Sequence, residues 1–147
     1  MHLVPVHGRL PRAGVDPIDD ADTAFITISM AVHRPLRHET IVALLDDARC
    51  GLGVVVVSDT GDRNAVVEVV ECLLDPTVHG GRVGALIVAS VRPEQSDGDA
   101  GPDENDIDRW LEMSDLTEQA GSELLEWFVI GSAVSCPRDL LGEPPRW

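Results

Sequence analysis

The hydrophobic positions of this 147-residue chain fall into short blocks that switch between two periods. Residues 24–32 set Phe25, Thr27 and Ser29 against Ile26, Ile28 and Met30. That alternation and the β-branched content predict a strand, interrupted at Pro35. Thr40 to Leu45 is apolar on both faces and predicts a central strand. Asp46 to Gly51 reads as a turn and Gly53 to Ser58 as a third strand. So short a connection predicts an antiparallel hairpin, because a parallel return needs a crossover. The period then changes. Val66, Val67, Val69, Val70, Leu73 and Leu74 recur at helical spacing, with Glu68 and Glu71 facing outward. They predict a helix over 62–75, capped by Asp62 and stopped at Asp75-Pro76. After Gly80-Gly81, Val83 to Ala89 predicts a buried strand. A second helix is predicted over 103–121, opened by Asp103 as cap, with Glu104 favoured by the positive end of the helix dipole. Leu124 to Ile130 predicts a fifth strand, ending at Gly131.

Three strands, a helix, a strand, a helix and a strand predict an α/β class fold: a three-layer domain with a mixed β-sheet and flanking helices. Residues 1–21, rich in Pro, Gly and charge, read as a flexible N-terminal arm. Residues 22–133 read as the α/β domain. Residues 134–147 read as a proline-rich C-terminal tail that Trp147 pins to the body. The chain has no internal repeat and suits one domain. Its 44% hydrophobic content fits a globular protein, and two Phe and three Trp with no Tyr leave Val, Leu, Ile and Ala to fill the core.

Eleven basic against twenty-six acidic residues give a net charge of −15. Such a surface repels phosphate, so direct nucleic-acid and anionic-membrane binding are disfavoured. Arg34, Arg37 and His38 form the one candidate basic patch. Solubility accounts for the charge; docking onto a basic protein partner is the sharper reading. Cys50, Cys72 and Cys136 are odd in number and contain no C-x-x-C, so reduced thiols are expected rather than disulfides or a zinc ribbon. No apolar run reaches the ~18 residues of a membrane span, and no signal-peptide pattern opens the chain. The expected location is the cytoplasm.

Candidate chemistry lies mostly in the second half. Gly84 to Val91 ends in Ser90-Val91-Arg92-Pro93, and a polar loop leads to Pro102-Asp103-Glu104-Asn105-Asp106-Ile107. Leu125-Glu126-Trp127-Phe128-Val129-Ile130-Gly131 follows the second helix, and Glu39 to Arg49 lies upstream. In order and spacing, residues 36–131 resemble the RadC-type branch of the JAMM (JAB/MPN) metalloproteases. The resemblance implies a JAB/MPN-like, cytidine-deaminase-like fold. It places the zinc-ligand positions at Ser90, Arg92 and Asp106 and the water-activating glutamate at Glu39. Both ligand histidines are therefore replaced. A guanidinium has no lone pair to give a cation, so Arg92 is expected to pair with Asp106 instead.

No metal and no cofactor are expected, and the loss of His-x-His weighs against an enzyme. The leading expectation is a catalytically inactive RadC/JAMM-like domain acting in protein–protein interaction or as a scaffold, with a homodimer as one form. The alternative is a hydrolase with an altered, non-zinc or acid–base mechanism using Glu39, Asp106 or Glu94. A weaker alternative is a DNA-repair-associated RadC-like factor. His33 and His38, like His2 and His7, read as surface histidines. Residues 97–101 lack the rest of a calcium loop. Ser58, Ser90 and Ser135 lack a nucleophile-elbow setting. Cys50 falls in a turn, which alone does not make it reactive.

Overall fold

The computed structural model describes residues 12–79, 82–93 and 103–147. The chain runs α1 (Ala21–Ser29), β1 (Glu39–Leu45), β2 (Gly51–Ser58), α2 (Ala65–Leu74), α3 (Pro76–His79), β3 (Ala85–Val91), α4 (Asn105–Gln119), β4 (Glu123–Ile130), β5 (Val134–Ser135) and α5 (Pro137–Leu141). One five-stranded sheet has the order β2-β1-β3-β4-β5. β1 pairs antiparallel with β2 and with β3, whereas β3 and β4 pair in parallel. The sheet is mixed and the fold is α/β, as the order of elements predicts. No helix among the described residues is long and apolar enough to cross a membrane.

β1 and β3 are buried along their whole length, which is why neither shows an alternating polar face. Each strand divides its side chains between two cores. Ile41, Ala43, Leu45, Ile87, Ala89 and Leu125 pack under Ala24 and Ile28 of α1. On the opposite face Val42, Leu44, Leu86, Val88 and Trp127 pack under Val66 and Val70 of α2 and Trp110 and Met113 of α4. Three layers result: α1, the sheet, and the pair α2/α4.

The first element differs from its sequence reading. Residues 24–29, predicted as strand, belong to helix α1. Asp20 caps it by accepting from the Thr23 amide at 2.7 Å, and Asp22 sits in the first turn. Thr27 and Ser29 turn their hydroxyls back onto the carbonyls of Thr23 and Ile26, so neither needs a polar partner across a sheet. Caps also shift elsewhere. Asn64, not Asp62, is the N-cap of α2; Asp62 instead accepts from the Asn64 amide. Glu104, not Asp103, is the N-cap of α4. The 134–147 segment, read as a tail, carries β5 and α5. Trp147 packs against the α1-side core, as expected.

One close approach fixes the register of the central strands. Gly84 donates to the Leu45 carbonyl, and a Cβ there would lie 2.6 Å from the backbone at Asp46 and Asp47.

Candidate functional site

The parallel pair β3/β4 ends where α4 begins, and open α/β sheets place their ligands at this carboxyl end. Ser90 and Arg92 lie two residues apart and so share one face of the sheet, the α2/α4 face. The Arg92 amide donates to Ile130 at 2.8 Å, which carries the β3/β4 pairing one residue beyond the strand and aims the side chain at α4. Asp106 waits there in the first helical turn, fully buried.

The two meet as a fork. Arg92 Nη1 donates to Asp106 Oδ2 at 2.8 Å and Nη2 to Oδ1 at 2.9 Å, with both side chains buried. The Asp103 amide donates to Oδ2 at 2.8 Å and Arg109 Nη1 to Oδ1 at 2.8 Å. A carboxylate has about four lone-pair sites, and four donors occupy them. Burial alone pushes the Asp106 carboxyl up, but Arg92, the Asp103 amide and Arg109 together hold it below its ordinary value. The network continues outward. Asp103 takes Arg63 at 2.8 Å and Arg109 at 3.1 Å, and Arg109 also donates to Asn64 at 2.9 Å. Strand β3, helix α4 and the start of α2 are thereby tied together.

Ser90 turns its hydroxyl toward β4. Its Oγ accepts from Trp127 Nε1 at 3.0 Å, and the Arg92 guanidinium lies 5.9 Å from the same indole ring. Glu39 is not brought to the other three. It pairs with Val91 across β1/β3, so its side chain emerges on the α1 face, opposite Ser90 and Arg92. There it is fully buried and accepts from the His33 amide at 2.9 Å and from His33 Nδ1 at 2.7 Å. Arg37 Nη2 lies 2.9 Å from His33 Nε2. A guanidinium only donates, so Nε2 accepts and the ring proton sits on Nδ1. Among the described residues, no metal-ligand set accompanies Glu39 on its side of the sheet. Glu94 and the 97–101 loop lie outside the described residues.

Sequence reasoning missed Arg63, Arg109 and Asp103 as members of the cluster. Arg109 stands three residues beyond Asp106 on a predicted helix, a spacing that places both on one face. Arg63 carries no such local signal. Among the described residues, no group of three or more His, Cys, Asp or Glu side chains is arranged to hold a metal ion. No protein-family model matches the chain, and no curated protein matches it.

Proposed function

We propose that this chain is a non-catalytic, RadC/JAMM-like α/β domain that works through protein–protein interaction, with an ion pair standing where a metalloprotease would hold zinc. The observation that carries this reading is the saturated Asp106 carboxylate. Its lone-pair sites all face donors, and two of those donors come from a buried cation. A divalent ion entering there would have to displace Arg92 and then share the site with its charge.

The alternative, a hydrolase with an altered mechanism, would draw on carboxylates among Glu39, Asp106 and Glu94. Glu39 and Asp106 lie on opposite faces of the sheet, which counts against it. The DNA-repair reading has only the resemblance behind it, and a net charge of −15 opposes direct contact with DNA. The same charge favours a basic partner. Glu68 and Glu71 on α2, with Asp108, Glu112, Asp115 and Glu118 on α4, are exposed on the outer faces of those helices.

Zinc titration against a chromophoric chelator tests the reading. The parent protein should take up no stoichiometric zinc, and the double variant S90H/R92H should gain zinc affinity beside Asp106. Stoichiometric zinc in the parent would end the non-catalytic reading. A folded double variant that binds no better than the parent would show that these positions do not correspond to a metal site.

A further inference from the structure

The connection between α1 and β1 is held down by a buried carboxylate. Glu39 accepts two donors from that connection, the His33 amide at 2.9 Å on Oε2 and His33 Nδ1 at 2.7 Å on Oε1. Arg37 closes the group from outside. Its Nη2 donates to His33 Nε2 at 2.9 Å, and its Nε lies 3.5 Å from the Oε1 that His33 already engages. Carboxylate, imidazole and guanidinium stand in line from core to solvent: the side chains are 0%, 48% and 53% exposed.

The elements packed around this line bring few charges to it. In the sheet Glu39 sits between Ser58 of β2 and Val91 of β3, both uncharged. Helix α1 carries charge only at Asp22, in the first turn, whereas the connection leaves from its last. Past β2 comes Asp59, whose amide donates to the His38 carbonyl at 3.0 Å, and the His38 ring lies beside Gly61. Cys136 packs on the same core, but burial pushes its thiol up to about 12, so it stays neutral. Beyond it Arg138 is engaged by Glu126 and Asp139. The charges in contact with the His33 ring are therefore those of Glu39 and Arg37.

We propose that His33, Glu39 and Arg37 form an acid-released latch: a proton taken up at His33 Nε2 expels the Arg37 guanidinium and turns it outward, while Glu39 keeps its hold on His33. A guanidinium only donates, so its contact with Nε2 lasts only while that nitrogen keeps a lone pair. Once protonated, Nε2 is itself a donor, and two cations face each other. The imidazolium keeps its bond to Oε1, now with charge on both sides. Arg37 has only the longer 3.5 Å approach to that oxygen, and its side chain is already half open to water. It gives way. A guanidinium that had been turned into the connection then joins Arg34, which is exposed, at the surface. On a molecule of net charge −15, this puts a second free-standing arginine on one loop in acid and withdraws it at neutral pH. The latch lies on the α1 face, away from Ser90 and Arg92, so it does not depend on the reading of the zinc positions.

Nitrogen-15 NMR of the full chain, followed from about pH 8 to about pH 5, reads both halves of the latch. At the upper end the His33 ring should show the Nδ1–H tautomer. As it becomes imidazolium, the order parameter of the Arg37 Nε–H bond should fall by about a third, the step from a held group to a mobile one. Both changes should share one midpoint, and the His33 amide should stay protected from exchange throughout. His33→Gln puts a side chain that does not titrate in place of the ring, and Arg37 should then report no pH dependence. His38→Gln should leave the wild-type transition in place. An Arg37 order parameter that stays flat while His33 titrates overturns the proposal. So does a transition that survives His33→Gln or vanishes in His38→Gln, because another group would then be the trigger. Loss of His33 amide protection together with Arg37 order also overturns it, since the whole connection would then open and no latch would act within it.

Discussion

Replacing Arg92 by alanine strands two lone pairs of a carboxylate that water does not reach. Arg109 and the Asp103 amide remain as partners, so the loss falls short of a bare buried charge. The expected cost is about 2–3 kcal/mol, read from denaturant midpoints. In a double-mutant cycle with Asp106→Asn, the coupling should exceed about 1 kcal/mol. Coupling near zero would mean that the fork does not hold strand to helix. The same carboxylate makes a pH prediction. Its folded value lies below the ordinary 3.8, so the stability it contributes is complete above that value and drains away as the pH falls through the folded one. Acid unfolding of Asp106→Asn should therefore lose less stability than wild type below pH 3.8. Parallel acid limbs for the two proteins would contradict the assignment.

At the scale of elements, the glycine before β3 shows how tightly the strands are registered. Gly84→Ala drives a methyl group into the Asp46–Asp47 backbone, which no side-chain rotation relieves. The cost should be about 1–3 kcal/mol, with a midpoint shift and an unchanged m-value. A neutral effect would mean that the turn after β1 yields freely. The central strands were legible in the sequence because burial on both faces leaves continuous apolar runs. The α2 and α4 helices were legible because their apolar residues keep the helical period. α1 was not. Its β-branched residues alternate over a stretch too short to separate the two periods, and its decisive signal, Asp20 followed by the Thr23 amide, lay within residues read as an arm. The site divides in the same way. Ser90 and Arg92 share a face by the period of two, and the first turn of a predicted helix supplies Asp106. The position of Glu39 depended on the register between β1 and β3, which no local pattern encodes.

Across the whole molecule, the C-terminal segment acts as a strap. Arg138 and Glu126 form a buried pair at 2.9 Å, and Arg146 stacks 4.4 Å from the centre of the Trp110 ring. Arg146 also donates to Glu143, whose other oxygen accepts from Trp110 Nε1 at 3.2 Å. Arg146→Ala should cost about 1–2 kcal/mol and raise amide exchange along β4 near Leu124. Exchange unchanged from wild type would show that the strap does not protect that edge. The Arg92–Asp106 fork has a further consequence, for protein engineering. It fixes the end of β3 against the first turn of α4, so the two ends of the connection between them are held at a set distance. Closing a longer loop between ends already held costs only about 0.6 kcal/mol per doubling of its length. A foreign peptide spliced between residues 93 and 103 would therefore be displayed on a fixed base, with the fork as its foundation.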